Sequence, residues 1–380
     1  MTDELTGDPP KTPSPGEFIR EEMKARKWTQ ADLAAILNRP LPTVNEIIQG
    51  KRAIMPEMAM ALAEAFATTA EIWMHREADY RLSLAGGDFS NVKKRARFHE
   101  LAPIKEMQRR GWIKNSEDEL SLESELRQFF DIASIDHEPQ ISASMRMSSL
   151  ETDLTPSQRA WCFRVKRLAR AIEVAPFRED RLPECEKELR RLAAYPQEAK
   201  KITGVLASYG IRFVIVEPLQ GCKIDGAALW INEQSPVIGL SLRFDRIDGF
   251  WFTLGHEFSH IKHRDSLSVD ADLTSGDQIP SAAKTPSERR ADDEAASLLI
   301  PEDTLRSFIA RVGPQYSRDR VVQFAHKIKI HPGIIVGQLQ HRGEIGYHAL
   351  RDLLVKVRDA VIPTSVTDGW GYTMDVGNSR

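Results

Sequence analysis

The sequence predicts a multidomain, mostly α-helical protein with an all-α domain at the N-terminus, a helical connector, and an α+β domain at the C-terminus. Three patterns support this prediction. Residues 15–82 contain several short amphipathic helical segments, residues 119–130 show helical periodicity, and apolar runs between residues 210 and 242 have the length and composition of strands. With 380 residues, the chain is long enough for two or three domains.

The N-terminal segment, residues 15–82, has the spacing of a helix-turn-helix. Thr29 can cap a helix that begins at Gln30, a turn follows at residues 38–40, and another helix begins at Pro42. The segment contains Pro15-Gly16-Glu17-Phe18-Ile19, Trp28-Thr29-Gln30, residues 45–52 and Ile72-Trp73. Through these residues it resembles the HigA antitoxin branch of the phage-repressor-like DNA-binding domains.

The resemblance implies which residues face DNA, because repressor-like domains read bases with the start of the second helix and the exposed side of the third. These positions are Gln30, Thr43, Asn45, Glu46 and Gln49, with Lys51 and Arg52 near phosphates. However, residues 15–82 contain nine Lys or Arg and ten Asp or Glu, a net charge of 9 − 10 = −1, whereas strong phosphate binding usually needs a basic surface. The domain is either a sequence-specific operator-binding homodimer or a module that mainly dimerises or binds protein.

A helical connector is predicted over residues 83–200. It includes a basic run from Lys93 to Lys114, with eight positive and two negative residues and a net charge of 8 − 2 = +6. This run either adds phosphate contacts beside the helix-turn-helix or forms a solvated helical face. The connector as a whole either transmits a change of state between the two ends or is a passive scaffold.

The stretch His256-Glu257-Phe258-Ser259-His260 carries the strongest chemical signal in the chain. On a helix, residues i and i+4 share a face, so His256 and His260 can bind one metal ion while Glu257 projects to the side. A catalytic zinc normally has three protein ligands and one water, and a later helix that ends before Pro301 can supply the third ligand. The competing interpretation is two surface histidines on an ordinary helix.

The first motif, residues 256–260, is followed by a second motif formed by Glu288, Ala291, Asp292, Ala295, Leu298-Leu299 and Pro301. Together the two motifs resemble the ImmA/IrrE family of zinc metallopeptidases. The resemblance implies a zincin-like metallopeptidase core over residues 201–310, with His256, His260 and Glu288 as zinc ligands and Glu257 as the general base. One residue departs from the family pattern, because Glu294 stands where a bulky apolar residue is usual.

Helix geometry separates Glu288 from Glu294 as the third ligand. The two lie six residues apart and point about 120° away from each other, so only one can face the zinc. Glu288 shares its side of the helix with small and apolar residues suited to close packing against the histidine helix. Asp292, on the same side, is predicted to orient a ligand histidine.

Three strands are predicted before the first motif, at residues 210–216, 227–231 and 236–242, and the last two form a hairpin. An edge strand beside the zinc helix can bind an extended peptide by strand addition, or the strands simply support the helix.

Further helices are predicted over residues 311–362. Residues 1–14 are predicted to be a disordered tail, and residues 363–380 a polar tail.

The sequence therefore predicts a cytoplasmic regulator in which a zinc-dependent endopeptidase is coupled to a DNA-binding domain. The family resemblance implies that it cleaves a specific regulatory protein, either a transcriptional regulator or an antitoxin-like protein. The alternative is a HigA-like antitoxin that represses its own operator and binds a partner toxin, with an idle or structural metal site. Three scattered cysteines, Cys162, Cys185 and Cys222, indicate a reducing compartment and thiols that are either buried or idle. No apolar run has the length of a membrane span, so no membrane partner is expected.

Overall fold

The computed structural model describes residues 12–85, 89–141, 154–265, 268–270 and 284–370. The chain divides after Val92 into two compact units. The predicted disordered tail lies outside the described residues except for its last three positions. Among the helices described, none combines the length and apolar character that crossing a membrane requires.

The N-terminal unit is built from short helices whose ends are encoded locally. Thr29 Oγ1 accepts a hydrogen bond from the Asp32 amide at 3.2 Å, and the Asp32 carboxylate accepts one from the Thr29 amide at 2.7 Å, which fixes the start of α2. Leu33, Ile48 and Trp73 lie in the core of this unit and are at most 2% exposed. The helices are α1 (Pro15–Arg26), α2 (Gln30–Ile36), α3 (Leu41–Ile48), α4 (Pro56–Phe66) and α5 (Ala70–Leu84).

Gly16 sets the distance between α1 and α3. A Cβ atom at this position would lie 2.0 Å from the Ile48 carbonyl oxygen, so α1 can approach the end of α3 only because residue 16 has no side chain. Arg20 completes the contact, because its Nη1 donates a hydrogen bond to the same carbonyl at 3.0 Å.

We expect Gly16→Ala to destabilise the N-terminal unit by about 2 kcal/mol or more, because backbone would have to move to remove the overlap. Hydrogen exchange of the full chain should show faster exchange in α1 and α3. Gly204→Ala is the matched control, since a Cβ there has no atom within 4 Å and the change should slightly stabilise its helix. Equal exchange in the two variants would contradict the packing argument.

The C-terminal unit contains a five-stranded mixed sheet in the order β4-β2-β3-β1-β5. The predicted hairpin is present, because β2 and β3 pair antiparallel with Ala228 opposite Ile238. β1 pairs parallel with β3 and β5, and β2 pairs antiparallel with β4. The strands are β1 (Arg212–Ile215), β2 (Gly226–Trp230), β3 (Pro236–Leu240), β4 (Ser268–Asp270) and β5 (Val366–Thr367).

Helices surround this sheet. They are α6 (Ser90–Leu101), α7 (Ile104–Arg109), α8 (Glu119–Phe130), α9 (Pro156–Ala169), α10 (Leu182–Leu192), α11 (Ile202–Ser208), α12 (Ile247–His263), α13 (Pro286–Leu299), α14 (Glu302–Val312), α15 (Arg318–Ile328), α16 (Pro332–His341) and α17 (Arg358–Val361). Short 3-10 turns occupy residues 179–181, 196–201, 351–353 and 362–364.

The central strands β2 and β3 are buried on both faces, and their alternate residues point to different helices. Ala228 and Ile238 belong to the core that contains α12, whereas Ala227 and Val237 belong to the core that contains α9. Gly239 keeps α9 close, because a Cβ there would lie 2.8 Å from a Val165 methyl group. The sheet therefore supports α12 from behind.

From Lys93 onward, the segment predicted as a connector is part of this second unit. The helices between residues 93 and 200 lie in it, and Phe98, Leu101 and Phe129 share a core with Val214 and Leu229 of the sheet. The sequence showed the amphipathic faces of these helices, but their partner strands lie about a hundred residues away in the chain, beyond the reach of local periodicity.

Most positive residues of the basic run form ion pairs with carboxylates of the same unit. Of its eight positive residues, Lys94 pairs with Glu123, Arg95 with Glu119, Arg97 with Glu138, Arg109 and Arg110 with Glu106, and Lys114 with Glu125. The side chains of Arg95, Arg109 and Lys114 are still 67%, 56% and 82% exposed, as the predicted solvated helical face requires, while the carboxylates balance most of the charge. The same pairing weakens the case for phosphate contacts.

The predicted C-terminal tail begins too early. Residues 363–370 are packed on the unit: β5 pairs with β1, and Asp368 is 5% exposed and accepts a hydrogen bond from the Trp112 indole at 3.2 Å. The remainder of the predicted tail lies outside the described residues. The polar composition predicted an exposed tail, whereas buried polar groups of this segment form hydrogen bonds with distant residues.

All three cysteines are buried, as the sequence predicted. Burial raises the pKa of Cys185 and of Cys222 to about 12, so both thiols stay protonated at neutral pH. Neither has the character of a nucleophile.

Candidate functional site

The first motif lies in the buried part of α12. His256 and Glu257 are 0% exposed and His260 is 1% exposed. The interpretation of two surface histidines is therefore wrong. Three buried ionisable side chains on consecutive turns of one helix are costly unless they are paired or bind a cation, so this arrangement needs a chemical explanation.

Small residues bring α13 against α12. A Cβ on Gly255 would lie 3.2 Å from the Cα atom of Ala295, and both Ala291 and Ala295 are 0% exposed. Thr285 caps the start of α13 by accepting a hydrogen bond from the Glu288 amide at 3.3 Å. This close contact carries Glu288 and Asp292 to the His256 side chain.

Three potential ligand atoms converge between the two helices. The Nε2 atoms of His256 and His260 are 3.0 Å apart, and the Glu288 carboxylate lies 3.2 Å from the first and 3.6 Å from the second. His256, His260 and Glu288 form a group whose ligand atoms all lie within 4.8 Å of one another. We call these three residues the metal cluster.

The metal cluster fits zinc. Zinc binds histidine nitrogen and carboxylate oxygen at 2.0–2.2 Å with tetrahedral geometry, which places neighbouring ligand atoms about 3.3 Å apart. The two histidine nitrogens are 3.0 Å apart, and each lies near this distance from one oxygen of Glu288, His256 from Oε2 at 3.2 Å and His260 from Oε1 at 3.6 Å. Two imidazole nitrogens facing each other cannot both carry protons at this distance, and a cation that accepts both lone pairs removes the conflict.

A carboxylate stands behind each histidine. Asp292 Oδ1 lies 3.0 Å from Nδ1 of His256, and Asp265 Oδ2 lies 2.9 Å from Nδ1 of His260. Lys284 and Arg290 hold these carboxylates, each at 2.6 Å. Carboxylates at this position fix the ring orientation and direct Nε2 toward a metal.

The electrostatics favour ionised carboxylates at both positions. Burial opposes ionisation of Asp265, but hydrogen bonds with His260 and Arg290 outweigh it and lower the pKa of this carboxyl. Burial likewise opposes ionisation of Asp292, while His256 and Lys284 lower its pKa overall. Both groups are therefore negative at neutral pH and support a cationic centre.

Asp265 was missed by the sequence analysis. It lies beyond the end of α12, where Arg264 adopts a left-handed conformation with φ of 50°, and the Asp265 amide donates to the His260 carbonyl at 3.0 Å. This turn carries the carboxylate back to His260. The available signal in the sequence was an acidic residue five positions after a ligand histidine. Only the turn shows that its carboxylate reaches the histidine ring.

We expect Asp292→Asn to weaken zinc binding by about 10–100-fold, because the amide removes the negative charge behind His256. Competition against a chromogenic chelator measures the change. Asp303→Asn is the control, since its side chain is 100% exposed on α14 and should leave the affinity unaltered. Equal zinc affinities in the two variants would show that Asp292 does not support the cluster.

Glu257 and Glu294 occupy different surroundings. Glu257 packs against the first residue of β2, where a Cβ on Gly226 would lie 2.5 Å from the Glu257 carboxylate. Glu294 accepts hydrogen bonds from Ser259 at 2.9 Å and is 2.7 Å from His263, so it faces the C-terminal part of α12 and is not in the metal cluster. This contact explains how an acidic residue is accommodated there.

The predicted DNA-facing residues lie on α2, α3 and the turn after α3. Gln30, Gln49 and Lys51 are exposed, while Thr43 and Asn45 are half-buried.

Two details of the structure alter the DNA contacts expected of these residues. The Asn45 Oδ1 atom is buried without a hydrogen bond among the described residues, so only its amide nitrogen remains to be offered to a base edge. Arg52 Nε donates to the Glu46 carboxylate at 2.8 Å, which offsets the charge of both.

For DNA binding, we expect Lys51→Ala to weaken binding to all sequences alike and to reduce the salt slope by about 1. Gln49→Ala should instead reduce discrimination between operator variants. Fluorescence anisotropy at several salt concentrations separates these effects, and Lys24→Ala, exposed on α1, is the control. A salt slope that is the same in the Lys51 and Lys24 variants would exclude a phosphate contact at Lys51.

A helix-turn-helix sequence family matches residues 19–73. This part of the chain is a helix-turn-helix domain. The match begins in α1 and ends in α5, and it covers the two helices that carry the predicted DNA-facing residues. Among curated proteins, no match to the chain was found.

Similar solved structures relate to the helix-turn-helix domain. An addiction module antidote protein of a HigA family from Coxiella burnetii is 30% identical and is covered over 90% of its length and 22% of this chain, with a TM-score of 0.20. Antitoxin HigA of Pseudomonas aeruginosa with the higBA promoter is 33% identical, covering 98% of that protein and 24% of this one, with a TM-score of 0.20. PA4674 of Pseudomonas aeruginosa in complex with its operator DNA is 33% identical, with coverages of 96% and 23% and a TM-score of 0.21.

Proposed function

We propose that this protein is a DNA-binding regulator whose C-terminal unit is a zinc-dependent endopeptidase. The observation that carries the proposal is the convergence of His256, His260 and Glu288, whose ligand atoms all lie within 4.8 Å of one another. The carboxylates behind both histidines add support, because a pair of ordinary core histidines has no need of an oriented acidic partner for each ring.

The chemistry divides between the metal and the chain. When bound, zinc acts as a Lewis acid that lowers the pKa of water and polarises a carbonyl group. Glu257 follows His256 directly and is outside the metal cluster. Its carboxylate accepts a proton as water attacks the peptide carbonyl, and then delivers that proton to the leaving amine. Asp292 and Asp265 keep the two histidine rings in place during these steps.

An extended peptide is the substrate that this fold suits. Among the strands in the described part of the chain, the outermost on the side of β2 is β4, which no sequence pattern predicted. Strand addition would therefore use β4 and not the predicted hairpin. We propose a regulatory protein, either a transcriptional regulator or an antitoxin-like protein, as the natural substrate.

The helix-turn-helix match supports operator DNA as the second partner. Repressor-like domains bind two half-sites as dimers, so we propose that this chain binds DNA as a homodimer. Cleavage by the C-terminal unit and operator binding by the N-terminal unit would then both regulate transcription from the same operator.

A second candidate function is a HigA-like antitoxin that binds its operator and a toxin. The helix-turn-helix domain favours it, but only over the N-terminal part of the chain. In that function the metal cluster is structural or idle. A structural zinc site is normally closed by four protein ligands, whereas three ligands converge here among the described residues, which favours the enzyme.

Digestion of a peptide library derived from a bacterial proteome tests the endopeptidase proposal. The full chain loaded with zinc should produce a consistent set of new termini, read by mass spectrometry, and a chelator should abolish them. Readdition of zinc should restore the same set. New termini that persist after complete zinc removal, or none at all with zinc bound, would overturn the proposal in favour of the antitoxin.

A further inference from the structure

A cavity of about 280 Å³ lies between α12, α13 and α16. Phe252, Asp292 and Gln338 are among the residues that line it, and neither the metal cluster nor Glu257 does. Asp292 connects the two places, since its Oδ1 atom is 3.0 Å from Nδ1 of His256. A molecule in this cavity would contact the carboxylate that orients His256, without contacting the three residues of the metal cluster.

The walls suit a flat apolar body. The rings of Phe252 and His341 both line the cavity, with centroids 6.2 Å apart and planes inclined by 34°. Leu299 and Ile334 supply aliphatic surface. Burial lowers the pKa of His341, so this ring is neutral at pH 7 and adds no positive charge to the wall.

The charges on the walls favour a cation. Two arginines and three aspartates line the cavity, a net charge of 2 − 3 = −1. Partners balance most of them, because Arg246 pairs with Asp248, Arg342 pairs with Glu302 outside the lining, and Lys284 pairs with Asp292. Asp293 remains, exposed and without an ion pair to any residue in the described part of the chain.

Gln338 adds a hydrogen-bond acceptor. Its Nε2 atom donates to the Ala296 carbonyl at 2.9 Å, which fixes the orientation of the amide. Its Oε1 atom is buried and accepts no hydrogen bond from the described residues, and the side chain as a whole is 8% exposed. A buried acceptor without a donor is costly, and a bound group rich in N–H donors would satisfy it.

We propose that this cavity binds a small organic cation with a flat apolar body and an amidinium or guanidinium head, and that its occupancy regulates the metal centre through Asp292. The regulatory half rests on the proposed zinc site, whereas the binding half does not. The same head group occurs in free small molecules and in the arginine side chain of a peptide, and the experiments separate these two sources.

Benzamidine, benzamide and benzoate test the charge preference, because they share one ring and differ in the charge of the head group. Calorimetric titration of the full chain should show benzamidine binding at least about 10-fold more tightly than benzamide, with benzoate weaker still. Asp293→Asn should remove this preference, and Ala296→Leu should block all three by filling the cavity. The exposed Asp303→Asn is the control and should bind as the wild type does. Equal binding of the three compounds would overturn the proposal.

Zinc affinity tests the regulatory half. Coupling is reciprocal, so benzamidine should change zinc affinity by the same factor as zinc changes benzamidine affinity, and we expect at least about 3-fold. Asp292→Asn should abolish this coupling while benzamidine still binds. Unchanged zinc affinity with benzamidine bound would overturn regulation. The binding of benzamidine is measured without zinc and without any cleavage assay. Failure of the endopeptidase proposal would therefore not change the result for benzamidine binding.

Agmatine and a doubly capped arginine amide distinguish the two sources of the head group. A cavity for a free small molecule should bind agmatine at least as tightly as the capped arginine. Clearly tighter binding of the capped arginine would identify the cavity as a place for a substrate side chain and would overturn the regulatory role.

Discussion

Glu288→Ala should remove tightly bound zinc from this protein, whereas Glu294→Ala should retain close to one zinc per chain. Glu288 brings its carboxylate within 3.6 Å of both ligand nitrogens, so its loss leaves two ligands for the ion. Glu294 is held by Ser259 and His263 on another turn. Loss of a direct ligand should cost more than the roughly 10–100-fold in affinity that loss of an outer partner costs.

Elemental analysis after dialysis, followed by chelator competition, measures both variants against the wild type. Circular dichroism separates loss of zinc from loss of fold. Wild-type protein with metal far below one per chain that added zinc cannot restore would exclude the site altogether. The reverse pattern, with zinc lost from the Glu294 variant and kept by the Glu288 variant, would show that the second motif is read in the wrong register.

Glu257→Gln should keep zinc and lose at least about 100-fold in the rate of peptide cleavage, because the amide cannot accept a proton. Glutamine has nearly the same shape, which matters because Glu257 is 0% exposed and packed against Gly226. The zinc content should therefore stay at the wild-type value. This separation of metal binding from turnover is what a general base predicts and a ligand does not.

The cleavage products found with the peptide library provide the assay, and Glu117→Gln, exposed before α8, is the matched control. The control should cleave at the wild-type rate. Wild-type cleavage by the Glu257 variant would refute the assignment of the base, and loss of zinc together with cleavage would make Glu257 a ligand.

Much of the site was predictable because it depends on local geometry. The four-residue spacing of His256 and His260 places both on one face of any helix, and the stripe of Ala291 and Ala295 beside Glu288 marks the side of α13 that can pack closely. Thr29 and Asp32 likewise encode the start of α2 within four residues. Each of these signals lies within one or two helical turns.

Other features required contacts between distant parts of the chain. The helices of residues 93–200 have apolar faces in the sequence, but only packing identifies the sheet as what they cover. Asp368 is polar and near the end of the chain, so composition places it in a tail, although its carboxylate is buried against Trp112. Local patterns cannot reveal such partners because a side chain's burial depends on the whole fold.

The sequence by itself determined the helix-turn-helix domain and the kinds and spacing of the groups that can hold a metal, because helical periodicity and capping act over a few residues. Only the tertiary structure brought Glu288 to the two histidines, turned Asp265 back to His260, and left a cavity behind Asp292. These outcomes depend on how closely two helices approach. Gly255 and Ala295 permit a close approach, but the distance between the two helices is set by the packing of the entire unit.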